Sequence, residues 1–156
     1  MLETQPTYNK SILIAIDQSE NSRRAVAHLA AMVCGLPEFR VTLLHVYPDP
    51  EEDYFPTEAE RVEGMRAERA EIDEMLRQAK DFLVRQGFSA EHIETVVETG
   101  RIPSVSEAIL RVRERGGHST IVLGRQGLGA KEEFLLGSVS KRVLSHANHC
   151  AVWIMT

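Results

Sequence analysis

Cysteine is scarce in this chain of 156 residues. The two cysteines, Cys34 and Cys150, lie far apart and form no CxxC pair. Small proteins that depend on disulfides carry many more cysteines, and they work in oxidising compartments. The cysteine content therefore argues against a disulfide scaffold and is typical of a protein from a reducing cytoplasm.

A surplus of positive charge is also missing. The formal net charge is −5, so the chain lacks the basic surface that grips nucleic acid or an anionic membrane. No apolar run approaches the roughly 20 residues that span a bilayer. The first residues, MLETQPTYNK, lack the apolar stretch of a signal peptide. We therefore expect a soluble, cytoplasmic protein, in which a local basic spot could still hold one small anion.

Five short apolar runs alternate with four segments that have a helical pattern. Short, almost unbroken apolar runs are typical of strands that are buried on both faces of a sheet. The expected strands cover residues 11–16, 41–46, 92–98, 119–124 and 150–155. The expected helices cover residues 20–34, 58–86, 104–115 and 138–147. This order predicts a single doubly wound α/β domain, residues 1–156, with a mainly parallel sheet and right-handed crossovers.

The longest predicted helix, residues 58–86, has one apolar stripe with steps of three and four residues. The apolar positions of the stripe are Val62, Met65, Ile72, Leu76, Ala79 and Leu83, and Arg69 is the one charged residue that interrupts it. We expect an amphipathic helix that lies on the sheet, and the alternative is a surface that binds a partner.

Glycines are concentrated in the segment IVLGRQGLGAKEEFLLGSVSKRVL, residues 121–144. In doubly wound sheets, ligands bind beyond the carboxyl ends of the strands, where the strand order reverses. With the common order 3-2-1-4-5, Asp17 after the first strand and the glycines after the fourth would meet in one crevice. Gly124 and Gly127 would let backbone amides approach a ligand, and the alternative is a glycine-rich connection without a ligand.

A helix that begins near Gly137 would offer free amides and a partial positive charge to a phosphate. Hydroxyl groups of Ser138 and Ser140 can donate as well. Apolar side chains of Ile16, Val46 and Leu123 could bury a base, and Asp17 could accept hydrogen bonds from a ribose. The segment is not a Walker A loop, because no lysine stands between Gly137 and Ser138.

The spacing Gly124-x-x-Gly127, nine residues, then Gly137-Ser138 resembles the G-2x-G-9x-G(S/T) signature of the ATP-binding branch of the universal stress protein family. ILIAIDQSENSRRAVAHLA resembles the family's opening strand and helix, LLHVY its second strand, and GSVSKRVLSHA its closing segment. The likeness covers essentially the whole chain, in order.

The resemblance implies a five-stranded parallel sheet of order 3-2-1-4-5 with helices on both faces. It implies that Asp17 contacts the ribose, and that the Val46 backbone contacts the adenine edge, with Ala15 and Ile16 lining the same pocket. The residues implied for the ribose and phosphates are Gly124, Gly127, Gly137, Ser138, Val139 and Ser140. It also implies ATP, often with a divalent metal, a regulatory role in stress tolerance, and a homodimer formed through the last strand.

Some positions depart from the family's pattern. Arg125 and Gln126 stand where a small residue and then a basic residue or histidine are expected, and Arg125 would either contact phosphate or crowd the loop. ADP, AMP or another adenine compound therefore stays open as the ligand.

The homodimer has support that does not depend on the resemblance. In the order 3-2-1-4-5 the last predicted strand, residues 150–155, is an edge of the sheet, and a bare apolar edge strand favours pairing of two copies.

Two other functions stay open beside a nucleotide-dependent regulatory module. One is a slow ATP hydrolase or phosphotransferase, for which Lys131, Glu132 and Glu133 are the candidate groups. No nucleophile is paired with a base in the sequence, so efficient turnover is not expected. The other is a dimeric adaptor that needs no nucleotide. His146, His149 and Cys150 resemble metal ligands by type, but no fourth ligand is near, and we predict no metal site there.

Overall fold

The computed structural model describes residues 9–51, 54–125 and 136–156. Five parallel strands form one sheet of order β3-β2-β1-β4-β5. The strands are β1 Ser11–Ala15, β2 Arg40–Pro48, β3 Ile93–Gly100, β4 Thr120–Gly124 and β5 Ala151–Met155. The predicted order 3-2-1-4-5 is confirmed, and it makes β1 and β4 neighbours at the point where the strand order reverses.

Four helices connect the strands. They are α1 Glu20–Val33, α2 Glu58–Arg85, α3 Val105–Gly116 and α4 Ser138–His146, and a 3₁₀ turn covers Ala90–His92. Hydroxyl groups cap the first three helices: Ser19, Thr57 and Ser104 each accept a hydrogen bond from the amide three residues on. Gly117, which has a φ of 63°, ends α3 in the left-handed conformation that suits glycine.

The sheet separates two hydrophobic clusters, because successive side chains of a strand point to opposite faces. Ile14 of β1 packs with residues of α1 and α2, such as Leu29 and Leu76. Its neighbour Leu13 packs with residues of α3 and α4. We call these sides of the sheet the α1/α2 face and the α3/α4 face. Ile14 and Leu13 are both fully buried, as the unbroken apolar run of β1 predicts.

Only part of α2 lies against the sheet as the apolar stripe predicts. Ile72, Leu76 and Leu83 are buried, but Val62 is 56% exposed. The helix therefore lies on the sheet as expected, but its first turns leave the apolar stripe exposed at Val62. The helix has 28 residues, at about 1.5 Å per residue, whereas each strand has at most nine, so α2 is much longer than the sheet face that it covers.

No helix in the three described ranges combines the length and the apolar character that a bilayer span needs.

Candidate functional site

Asp17 follows β1 directly and is held by the first turn of α1. Its Oδ1 atom accepts hydrogen bonds from the Ser19 amide at 2.9 Å and from the Ser22 hydroxyl at 2.6 Å. The Asp17 amide in turn donates to Ser22 Oγ at 3.0 Å. This short loop fixes the carboxylate at the carboxyl edge of the sheet, where sequence reasoning expected it.

His45 joins the ends of β1 and β2, a role that sequence reasoning missed. Its Nδ1 atom lies 2.8 Å from the carbonyl oxygen of Ile16, so this nitrogen carries the proton in the bond. The Ile16 amide also donates to the Leu44 carbonyl at 2.8 Å. Both contacts hold Ile16 and the adjoining Asp17 beside Val46. The only signal in the sequence is a histidine next to Val46 within an otherwise apolar run.

Tyr47 connects the end of β2 to α2. Its hydroxyl donates to Glu68 Oε2 at 2.8 Å. Burial and this hydrogen bond raise the pKa of Tyr47 to about 12, so the hydroxyl keeps its proton at physiological pH.

Gly124 ends β4 against the first turn of α1. A Cβ atom built at Gly124 would lie 2.9 Å from Asn21 Cβ and 3.1 Å from the Asn21 carbonyl carbon. The φ of Gly124 is not positive, so its conformation alone does not require glycine. Close packing of β4 on α1 therefore gives Gly124 a structural reason, in addition to the ligand approach expected from the sequence.

Arg125 and α4 are joined by a set of short hydrogen bonds. The Arg125 amide donates to the Met155 carbonyl at 2.6 Å, and the Arg125 carbonyl accepts from the Gly137 amide at 2.9 Å. Ser140 Oγ donates to the carbonyls of Gly124 at 2.7 Å and Arg125 at 3.1 Å. These bonds bring the start of α4 to the end of β4. They also engage the only proton of the Ser140 hydroxyl, and Ser140 is 3% exposed.

The first turn of α4 differs from those of the other helices. It has no side-chain cap and no acidic residue, whereas Glu20, Glu58 and Glu107 stand in the first turns of α1, α2 and α3. The first amides of a helix have no partner inside the helix, and they carry its partial positive charge. Ser138 at this end is exposed. The α4 N-terminus can therefore receive an anion from solvent.

Arg125 adds a formal positive charge at the end of β4. Its Nε atom is buried and has no hydrogen-bond partner among the described residues. A buried donor without an acceptor costs about 1–3 kcal/mol, and more when it is charged. An anion beside the guanidinium would remove that cost.

The remaining residues predicted for the site fall into three groups. Ala15, Val46, Leu123 and Val139 come together on the α3/α4 face. The side chain of Ile16 lies on the α1/α2 face instead, because it follows Ala15 in an extended chain. Gly127 lies outside the described residues, as do Gln126, Lys131, Glu132 and Glu133.

The described ranges contain no group of three or more His, Cys, Asp or Glu side chains arranged to hold a metal ion.

The order of the sheet, with polar groups gathered at the switch point between β1 and β4, defines a doubly wound α/β protein, and folds of this class bind ligands beyond the carboxyl ends of the strands. The chain belongs to the universal stress protein family, whose family model matches residues 9–155. A Thermus aquaticus relative, "Universal stress protein in QAH/OAS sulfhydrylase 3'region", is 34% identical over an alignment of 149 residues, with 88% of this chain and 93% of the relative covered.

Solved structures share the fold along most of their length. Hypothetical protein MJ0577 has a TM-score of 0.78 and 27% identity, with 94% of this chain and 95% of that chain covered. A universal stress protein in complex with cAMP has a TM-score of 0.68 and 23% identity, with 96% and 99% covered. An Archaeoglobus fulgidus universal stress protein in complex with dAMP has a TM-score of 0.62 and 20% identity, with 94% and 97% covered.

Proposed function

We propose that this protein binds an adenine nucleotide at the carboxyl edge of its sheet and acts as a regulatory module in a stress response within the cytoplasm. ATP is the proposed ligand, with Mg²⁺ as the usual counter-ion of its phosphates, and ADP or AMP are the alternatives. Complexes of structurally similar universal stress proteins with cAMP and dAMP support the adenine class.

One observation carries the proposal. The uncapped N-terminus of α4 stands beside Arg125, whose buried Nε atom has no acceptor in the part of the chain that the structure describes. Both features favour a negative charge at the end of β4, and together they fit the phosphates of a nucleotide. The proposed phosphate contacts are the amides of Ser138, Val139 and Ser140, together with Arg125.

The nucleoside would lie between the first two strands and β4. Ala15 and Val46 are partly buried and offer apolar surface for the base, with the buried Leu123 behind them, and the fixed carboxylate of Asp17 offers an acceptor for the ribose. Micromolar binding requires about 8 kcal/mol. A helix N-terminus alone contributes about 0.3–1 kcal/mol in exposed settings, so burial of the base must supply much of the affinity.

Calorimetric titration of nucleotide-stripped protein with Mg·ATP tests the proposal, with a Ser138→Glu variant beside it. Glutamate in the first turn of α4 suits the helix dipole, so the variant should stay folded. Its charge would repel the phosphates, and we expect affinity for ATP to fall by about tenfold or more. Affinity for adenosine, which lacks phosphate, should change much less.

Ser145→Glu is the matched control, since it adds the same charge near the other end of α4. It should leave ATP binding almost unchanged. If the unmodified protein binds no adenine compound saturably, the proposed function fails. If Ser138→Glu binds ATP as tightly as the unmodified protein, the phosphates do not lie at α4.

We also propose a homodimer formed through β5. This strand is an edge of the sheet, and its side chains from Val152 to Met155 are only half-buried in a single copy. Apolar edge strands associate readily unless they are covered. Sedimentation equilibrium should give twice the 17.5 kDa mass of one chain, and a single-chain mass would contradict the dimer.

A further inference from the structure

A second cleft lies between α1 and α2, on the α1/α2 face. Its volume is about 630 Å³, within the range of pockets that hold small molecules. We call it the α1–α2 cleft. Six apolar residues line it, namely Ile16, Val26, Ala27, Met75, Ala79 and Phe82. The apolar side chains of the proposed base pocket lie on the other side of the sheet, the α3/α4 face, although Ile16 and Asp17, both predicted from the sequence for the nucleotide, line this cleft.

The apolar wall of the cleft is attached to the core but is not fully covered by it. Met75, Ala79 and Phe82 pack against the core cluster with their inner sides and remain only partly buried. A ligand in the cleft would therefore remove apolar surface from water without moving the core. Such burial is favourable in proportion to the area covered.

The polar rim of the cleft is acidic. Asp17, Glu71 and Glu74 line it, against one basic residue, Arg23. The Arg23 charge is already paired, because Arg23 NH2 lies 3.0 Å from a Glu20 carboxylate oxygen. The cleft is thus complementary to a cation, and it disfavours the anionic phosphates of a nucleotide.

Glu71 is the acidic group best placed to meet a ligand. Glu74 is engaged by Arg77, at 2.6 and 2.8 Å, and by Gln78 at 2.8 Å. The Glu71 side chain makes no hydrogen bond or ion pair with any residue of the described ranges. It also lines the adjoining hollow of about 540 Å³, whose wall includes Glu68. Glu71 therefore stands where the two hollows meet.

We propose that the α1–α2 cleft binds a small organic cation, with an apolar body against Met75, Ala79 and Phe82 and an ammonium group at Glu71. The cation is organic rather than a metal ion, because the lining combines a broad apolar wall with acidic groups, and the described residues contain no group arranged to ligate a metal. The proposal does not depend on nucleotide binding, although Asp17 stands at the border of both sites.

Three probes of similar shape test the class of ligand. The full ¹⁵N-labelled protein is titrated with 2-phenylethylamine, with neutral 2-phenylethanol and with anionic phenylacetate, and amide shifts are followed by NMR. We expect millimolar binding, tightest for the amine and weakest for the carboxylate, with shifts centred on Ala27 and Gln78. Shifts scattered over the surface, or binding of phenylacetate as tight as that of the amine, would overturn the proposal.

Variants then test the position and the charge. Glu71→Gln should weaken binding of the amine by about two- to fivefold, the range of one exposed ion pair, and leave 2-phenylethanol unchanged. Glu63→Gln, on the same helix but outside the cleft, is the matched control and should change neither. An equal loss for both probes in Glu71→Gln would refute the role of its charge.

A variant that fills the α1–α2 cleft tests whether the probes bind there. Ala27 is exposed at the cleft, so Ala27→Phe should be tolerated and should reduce binding of the amine and the alcohol together. Binding that persists in Ala27→Phe would show that the probes sit elsewhere. Ser138→Glu should leave the amine titration unchanged, which separates failure of this proposal from failure of the nucleotide proposal.

Discussion

Replacing Gly124 by alanine tests the close contact between the end of β4 and the first turn of α1. The new methyl group would lie 2.9 Å from Asn21 Cβ and 3.1 Å from the Asn21 carbonyl carbon. Neither atom is the free end of a flexible side chain. The first turn of α1 would have to move by several tenths of an ångström, because carbon atoms pack best at about 3.5–4.0 Å.

The expected cost follows from two opposing effects. Overpacking of a tight contact costs about 1–3 kcal/mol. Alanine also restricts the unfolded chain, which stabilises a protein by about 0.4–1 kcal/mol where the backbone conformation suits it. The φ of Gly124 does suit alanine. We therefore expect Gly124→Ala to lower the free energy of unfolding by about 1–2 kcal/mol, equivalent to a few degrees in Tm.

Urea unfolding followed by circular dichroism measures this change. Asn21→Gly removes the nearer of the two contacts, so the double variant should recover part of the loss, and a double-mutant cycle gives the coupling. A Gly124→Ala protein that is as stable as the original, or more stable, would refute the close packing. An additive cycle would mean that the damage arises from a contact other than Asn21 Cβ.

Three further predictions concern the core and the frame of the site. Leu83→Ala should cost about 2–5 kcal/mol of stability because Leu83 is fully buried, whereas Val62→Ala should change stability by less than about 0.5 kcal/mol; urea unfolding compares the two. Burial lowers the pKa of His118, so stability should be complete above the ordinary pKa near 6.5 and fall as the pH drops through the folded value; His118→Gln should flatten that profile between pH 5 and 8. Ser140→Ala should cost about 1–3 kcal/mol in thermal unfolding, since the Gly124 carbonyl loses a donor.

Much of the fold could be predicted because its elements are local in the sequence. Buried parallel strands need continuous apolar runs, and helix N-termini favour capping side chains. The sequence alone therefore indicates both β1 and the Ser104 cap of α3. The strand order is not local, because it depends on which strands pair across long distances in the sequence. Its prediction follows from the commonest arrangement and from the family resemblance, and the structure confirms it.

The features that the sequence does not show depend on tertiary packing. A helical stripe reports that one face of α2 is apolar, but it carries no information on how far the sheet extends beneath the helix. Val62 therefore continues the pattern and yet stays exposed. Likewise, the bond from His45 to the Ile16 carbonyl depends on two strand ends that are far apart in the sequence. A histidine in a strand predicts no particular partner.

The structure also separates the residues of the glycine signature by what each can reveal. Gly124 is required by the contact with Asn21, and the Ser140 hydroxyl is engaged by two backbone carbonyls, so both have roles in the fold without any ligand. The Ser138 side chain is exposed and makes no hydrogen bond within the described ranges. Ser138 begins a helix that has no acidic residue in its first turn. Loss of binding in a Gly124 or Ser140 variant would therefore mix folding with recognition. A change at Ser138 alters the charge offered to a ligand while the fold keeps its contacts, and so it tests nucleotide binding more directly than the glycine does.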